Sequence, residues 1–540
     1  MRCCGAAAHF RTNIDMSNET PSPGNRLWIP VLTLMLGAAA IWAVQIAPEL
    51  ERNLKGWFTG GIVVLTGATL LFWFLFLSRL SILLRLIVAA LLAIGAMALK
   101  QNVMVQGTED GTGRPHFVWK SNAGKGPEFR PTPKLGTAPA DALQTAALTT
   151  GAESLQFLGS ARTGAESNAR WSRDWKAAAP RELWRQSVGA GWSAFAVFEG
   201  HAITQEQRGE HELVTCYDML TGAWIWGHTN LARFSQWQGG DGPRATPTVA
   251  GGRVYTYGGT GILNAIDART GRNLWSRDVL RENDLPNLIW GVSASPLVFD
   301  NTVVVTGGLT NRATVLAFRA DTGQPLWKSG EDKASYASPI LATLGGRRYV
   351  LSVNAASITA HDVTTGAVAW NHPWAKDNWP KASQPIVLEG DRVFVSAGYG
   401  VGCMLLQLQF AADGKITATE LWRNKMMKTQ FNSAAVRNGF IYGLDDGLLA
   451  CVEIATGQRK WKDGRSGSGQ SILIEDTLVV QTEPGDVFLA AATPDGFSEL
   501  GRLPALKSKT WNFPTVAGRY LLARNDQEAV CYELPQTAAK

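Results

Sequence analysis

One unit recurs from residue 181 to the C-terminus, and nothing else in the chain limits the fold so sharply. Its clearest copy is Ala265-Ile266-Asp267-Ala268-Arg269-Thr270-Gly271-Arg272-Asn273-Leu274-Trp275. The frame returns as Cys216-Tyr217-Asp218…Gly222…Trp226, Ala317…Gly323…Trp327, Ala360-His361-Asp362…Gly366…Trp370 and Cys451-Val452-Glu453…Gly457…Trp461. Each copy reads as a strand, a Thr-Gly turn and a second strand bearing Trp, with Asp or Thr bonding the turn backbone. Tryptophans at 184, 226, 275, 327, 370, 422 and 461 are spaced by 42, 49, 52, 43, 52 and 39 residues. Such spacings suit one four-stranded blade each. Trp422 follows a degenerate turn at Asp413-Gly414, and the unit around Asp495–Arg502 has no Trp. Glu182–Val188 is a Trp strand with no strands before it, while Trp511–Leu534 holds three strands, none of which bears a Trp. Joined, they complete a blade and leave no bare edge. The expected fold is all-β: an eight-bladed β-propeller with N-to-C blade closure, preceded by N-terminal transmembrane α-helices.

Those helices are read from three apolar stretches. Residues 27–47 and 57–77 carry no charge, and 81–99 carries only Arg85. A bilayer core takes roughly 20 apolar residues per helix, and a single cleavable signal does not account for three segments. Trp28, Trp42, Trp57 and Trp73 lie near the ends, where aromatic belts form. Arg2, Arg11 and Arg26 precede the first stretch, and Arg79 and Arg85 flank the second turn, which favours a cytoplasmic N-terminus. Three spans then place the remainder outside the cytoplasm. The expected layout is a cytoplasmic tail over 1–26 and a membrane domain over 27–100. A linker and rim-packing segment follows over 101–180, then the propeller over 181–540. Gln106–Gly113 and Arg130–Thr150 read as flexible spacer, and Trp171 and Trp175 mark where packing begins.

A net charge of +6 over 540 residues, without a basic stripe interleaved with aromatics, excludes a nucleic-acid binder. Six cysteines exclude a disulfide scaffold. Cys216, Cys451 and Cys531 occupy the repeat position that is Ala elsewhere, so they read as small buried packers.

The frame of small residue, acidic residue, Thr-Gly and Trp resembles the tryptophan-docking repeat of pyrroloquinoline-quinone (PQQ) propellers. That group holds quinoprotein alcohol and glucose dehydrogenases and the bacterial outer-membrane assembly lipoprotein that shares their fold without their chemistry. The likeness covers about residues 181–540. It implies a bacterial inner-membrane, multi-pass protein with its propeller on the periplasmic side. It also implies, for an enzyme of the group, PQQ with Ca²⁺ polarising the quinone and an acidic residue taking the substrate proton. The vicinal Cys-Cys disulfide of the alcohol dehydrogenases has no counterpart, since the adjacent pair Cys3-Cys4 precedes the first span. The group's calcium ligands and catalytic Asp match no motif here.

In a propeller, ligands meet the loops around the central channel. The segments before the innermost strands mostly read as Ser/Thr-Pro turn signals. Trp192, Arg244, Tyr336, Phe431, Gln470, Trp511 and Asn512 break that pattern, with Trp237, Trp290 and Lys381 nearby. The loops between second and third strands add Glu206, Arg208 and Tyr399, and Asp445 with Asp446 as candidate oxygen ligands for Ca²⁺. A planar anionic ligand wants aromatic faces and cations of this kind. Three functions follow as expectations. The first is a scaffold binding an envelope protein or small ligand. The second is a PQQ- and Ca²⁺-dependent dehydrogenase of alcohols or sugars. The third is a cell-envelope carbohydrate binder.

Overall fold

The structure is a computed structural model that describes residues 27–47, 50–121, 153–166, 171–377 and 380–536. The expected tail over 1–26, Cys3-Cys4 and the Arg130–Thr150 spacer lie outside the described residues. The chain divides into two compact units, one holding residues up to 102 apart from Glu51–Asn53, the other holding Glu51–Asn53 and Val103–Lys540.

The first unit consists of α1 (Trp28–Ile46), α2 (Arg52–Phe72, extended by a π-helical turn to Leu77) and α3 (Ile82–Asn102). All three are long and apolar enough to cross a membrane. The second begins five residues before the apolar run, because Arg52-Asn53-Leu54-Lys55 continues the helix although it ends the charge-free stretch. Arg85 donates to the carbonyls of Leu75 (3.1 Å) and Leu80 (3.0 Å) at the turn between α2 and α3. Those carbonyls have no intrahelical partner, so the cation closes a helix end as well as sitting near it.

Among the described residues, the second unit holds seven four-stranded sheets, one five-stranded sheet and two two-stranded ones, antiparallel except where Ala165–Glu166 joins the five-stranded sheet. Six of the four-stranded sheets are meanders, the first being Ala196–Phe198, His201–Arg208, His211–Asp218 and Trp224–Asn230. The last is built from Thr515–Ala517, Tyr520–Arg524 and Glu528–Glu533, and its fourth strand is Arg181–Ser187, with Trp184 opposite Cys531. That sheet also touches the first: Thr515 Oγ1 donates to the Phe195 carbonyl at 2.9 Å, and Asn512 Nδ2 to the Ser193 carbonyl at 2.8 Å.

Adjacent sheets are latched by the repeat itself. Trp226 Nε1 donates to the Ala268 carbonyl of the next sheet (3.1 Å), and its ring lies over Gly271. Trp184, Trp275, Trp327, Trp422 and Trp461 bond the next turn in the same way. Asp267 holds the turn by accepting from the amides of Arg269 and Thr270 and from the Thr270 hydroxyl. Trp370 breaks the pattern, its buried indole N–H having no acceptor. The small residue and Trp of each frame sit directly opposite each other, as in Ala265 and Trp275, because a bulge follows at Ile266.

Two parts of the expected linker are ordered. Val103–Thr108 and Pro115–Trp119 form a hairpin where a flexible spacer is expected over Gln106–Gly113. Residues 153–166 lie against the innermost strands. Ser154 bridges Val197, Ala165–Glu166 pairs in parallel with Leu473–Ile474, and Phe157 meets Phe513 edge-on at 4.9 Å. Arg162 is buried there and donates to the carbonyls of Ser295 (2.6 Å), Pro296 (3.0 Å) and Pro339 (3.1 Å). Burial pushes its guanidinium pKa down to about 9. A cavity of about 340 Å³ remains between this segment and the strands starting at Leu297, Ile340 and Ile386.

Candidate binding face

The Ser/Thr-Pro signals build a belt. Thr246 Oγ1 accepts from the Ala194 amide, Ser295 Oγ from Thr246, Ser338 Oγ from Ser295 and Ser433 Oγ from Gln384, at 2.9–3.2 Å. Each hydroxyl thus satisfies a buried amide of the preceding sheet at the start of an innermost strand. The residues breaking this pattern sit on the same rim.

Its centre is aromatic. Trp192 and Trp511 have ring centroids 4.8 Å apart, and Phe431 meets Trp511 edge-on at 5.2 Å. Trp290 and Tyr336 form a second pair at 5.7 Å. Lys509 Nζ lies 4.4 Å from the Trp511 centroid and 5.5 Å from that of Trp192, a cation–π geometry. Burial lowers the Lys509 pKa. Glu483 is the polar hub. Its Oε1 accepts from Trp511 Nε1 (2.9 Å) and the Gly111 amide (2.6 Å), its Oε2 from the Ser468 amide and Arg52 Nη2 (both 3.0 Å). The tip of the hairpin therefore covers this cluster, and Lys509 Nζ fastens it by donating to the Thr108 carbonyl (2.8 Å).

The remaining expected residues are engaged within the protein. Trp192 Nε1 donates to the Gly239 carbonyl (2.6 Å). Gln470 Nε2 donates to the carbonyls of Phe431 and Trp511, and Asn512 Nδ2 to that of Gly191. Arg244 donates to the carbonyls of Gly239, Gly240 and Gly242 of its own loop and stacks on Phe234 at 4.4 Å. Burial brings its pKa down to about 10. Glu206 is fully buried and accepts from Arg208, from the Tyr217 hydroxyl and from the Gly189 amide. Arg208 lies over the Trp224 ring. Lys381 donates to the Lys376 carbonyl (2.6 Å). Tyr399 is half-buried at φ +56°, its hydroxyl pKa raised by desolvation. Trp237 alone among the expected aromatics stands well out, 52% exposed.

PQQ and Ca²⁺ do not fit these residues. A flat quinone needs free aromatic faces and an available guanidinium, whereas the Trp192 and Trp511 indoles pack tilted against each other beneath Lys509 and Arg244 is committed to three carbonyls. Asp445 is buried among Arg459, Lys462 and Lys428, which supply the positive charge a metal would bring. Asp446, at φ +51°, accepts from the Arg52 amide and from Gln430 Nε2. No cluster of three metal-ligating side chains occurs among the described residues.

Glu483 lies in one of the loops read from sequence as facing this rim, but its role there carries no local signal. Lys509 and the hairpin tip carry none either. Their partners are hundreds of residues away: 372 from Gly111 to Glu483, 401 from Thr108 to Lys509.

The sequence profile of the outer membrane protein assembly factor BamB matches residues 173–289 and 210–463. BamB of Moranella endobia (strain PCIT) is 24% identical over 269 residues, 47% of this chain and 65% of that protein, so the match spans just under two thirds of the relative. BamB of Burkholderia pseudomallei (strain K96243) is 23% identical over 290 residues, 51% of this chain and 69% of that protein. In structure, the quinohemoprotein alcohol dehydrogenase of Comamonas testosteroni superposes with a TM-score of 0.52 at 13% identity, covering 74% of this chain and 83% of that one. At that identity the likeness is one of fold, a β-propeller.

Proposed function

Because the chain belongs to the PQQ-repeat propeller family that includes the outer membrane protein assembly factor BamB, we propose that it is a membrane-anchored protein-binding scaffold of the bacterial cell envelope. Its propeller has eight blades over 181–540, closed by the strand Arg181–Ser187. The membrane domain spans 27–100, and the segment 101–180 links it to the propeller's rim. Three apolar helices support three spans of an inner membrane with the propeller on the periplasmic side.

The observation that carries the reading is where large apolar side chains stay exposed. Leu231 (81%), Trp237 and Ile289 all stand on the loops that lead into the second and third innermost strands. The aromatic centre beside them is closed over by its own contacts. A broad rim with exposed apolar tips suits a protein surface better than a buried small-molecule slot. The relatives' description as assembly factors supports a protein partner too.

The test is retrieval from solubilised envelopes by the tagged full-length protein. Wild type should retain a defined, stoichiometric membrane protein, and a Leu231→Ser, Trp237→Ser variant with unchanged melting temperature should lose it. Identical retrieval by both proteins overturns the reading. So does dye-linked oxidation of alcohols or sugars after PQQ and Ca²⁺ are added.

A further inference from the structure

The hairpin after α3 has one apolar face that the propeller leaves open. Val103 pairs with Trp119 and Val105 with Phe117. Directly opposed residues and their i, i+2 neighbours share a face, so these four side chains form one patch. Phe117 is 64% exposed and Trp119 57%, while the turn of the same hairpin is fastened to the rim through Thr108 and Gly111. Two strands alone do not make a stable hydrophobic core, so something else covers this face.

We infer that the face formed by Val103, Val105, Phe117 and Trp119 lies in the headgroup region of the lipid bilayer. This rests on the reading of α3 as a membrane span. Val103 follows Asn102, the last residue of α3, with nothing between them. At roughly 3.3 Å per residue, the whole patch lies within the depth that headgroups occupy beyond the hydrocarbon. Trp and Phe beside a span end belong to that zone, and Lys100 and Lys120 bracket the patch, where long basic side chains reach the interface.

Spin labels on the full-length protein in vesicles of phosphatidylcholine and phosphatidylglycerol test this. Cys3 and Cys4 are changed to Ser, the four remaining cysteines are buried, and nitroxides are placed through Phe117→Cys, Leu92→Cys in α3, or Asp413→Cys on an exposed turn. Leu92→Cys should be reached by oxygen and closed to the nickel chelate NiEDDA. Phe117→Cys should give an oxygen-to-NiEDDA ratio between those of the other two, as headgroup depth requires, and Asp413→Cys should be open to NiEDDA. If position 117 is as open to NiEDDA as 413 while 92 lies in hydrocarbon, the inference falls and the span stands. Shielding of 117 from both reagents shows a protein, a second copy included, on the face and also overturns it. If position 92 is open to NiEDDA, the span reading and this inference fail together.

Discussion

Gly271 adopts φ +72°, and a Cβ built on it would stand 2.7 Å from Trp226 Cδ2. Two demands meet at this atom: a left-handed backbone and a flat surface for the neighbouring indole. Gly414, at φ +84°, meets only the first, since nothing lies within 4 Å of its Cβ position. Gly414→Ala should therefore cost about 1 kcal/mol, and Gly271→Ala about 2–4 kcal/mol once overpacking against Trp226 is added. Urea unfolding of the two variants gives the comparison, and equal losses would remove the platform role. Glu212 makes the clearest pH prediction. Burial raises its carboxyl from 4.5 to about 7, partly opposed by the Gly259 amide that it accepts and by the charge of Arg244. The folded chain then holds a proton that the unfolded chain releases, so stability is greatest below pH 4.5 and falls as pH rises to about 7. The gap corresponds to on the order of 3 kcal/mol. Glu212→Gln should not share that loss, so its unfolding midpoint should gain on wild type between pH 5 and pH 8. Parallel curves would show that Glu212 is not the titrating group. At this scale the rim was legible where a residue broke the repeat, as Arg244 and Trp511 do. What those residues hold was not legible, because an arginine that binds its own loop carbonyls looks the same in sequence as one held free for an anion.

Among the elements, the hairpins of the repeat were readable because each carries its own turn chemistry, Asp267 to Gly271 being the pattern. The segments before the repeat were not, since they take their structure from partners far along the chain. Trp175 illustrates the point. In six sheets a Trp stands opposite a small residue of the third strand, and in the fifth sheet Trp422 stands opposite Leu405. In the seventh sheet Gly501 takes that place, opposite Leu489. The gap is filled from outside: Trp175 is buried with Leu489 and Leu503, and its Cβ lies 2.7 Å from where one on Gly501 would be. The incoming segment thus supplies the aromatic that the repeat lacks, and the absence of Trp from Asp495–Arg502 is compensated rather than tolerated. Trp175→Ala should cost about 3–5 kcal/mol, the usual range for emptying a buried aromatic site. Hydrogen exchange should locate the damage, with amides of Glu499–Leu503 losing protection and those of Pro325–Ser329 in the third sheet unchanged. Uniform loss across the sheets would mean that Trp175 is only one more core residue.

For the molecule as a whole, the decisive contact is the one between the ends of the repeat. Arg181–Ser187 pairs with Glu528–Glu533, and the Trp184 indole N–H bonds the Met219 carbonyl at 2.8 Å with its ring over Gly222. Trp184 therefore joins the last sheet to the first, closing a loop that holds the entire repeat. Trp370 is equally buried, but its N–H has no acceptor. If every latch were a local packing contact, Trp184→Ala and Trp370→Ala would cost about the same. If closure matters, they differ in kind. Trp370→Ala should lower stability by about 3–4 kcal/mol, the cost of removing a buried indole. Trp184→Ala should lose a further ~1 kcal/mol for the bonded N–H, and should also let the closing strand fray from Glu528–Glu533. A frayed closing strand bares a paired sheet edge, and bare edges recruit other chains. Size-exclusion chromatography with light scattering on the detergent-solubilised proteins should show Trp184→Ala forming concentration-dependent oligomers while Trp370→Ala keeps the wild-type mass. The same mass for both variants at all concentrations would mean that the ring stays shut without its indole clasp, leaving closure to the backbone ladder between Arg181–Ser187 and Glu528–Glu533 alone.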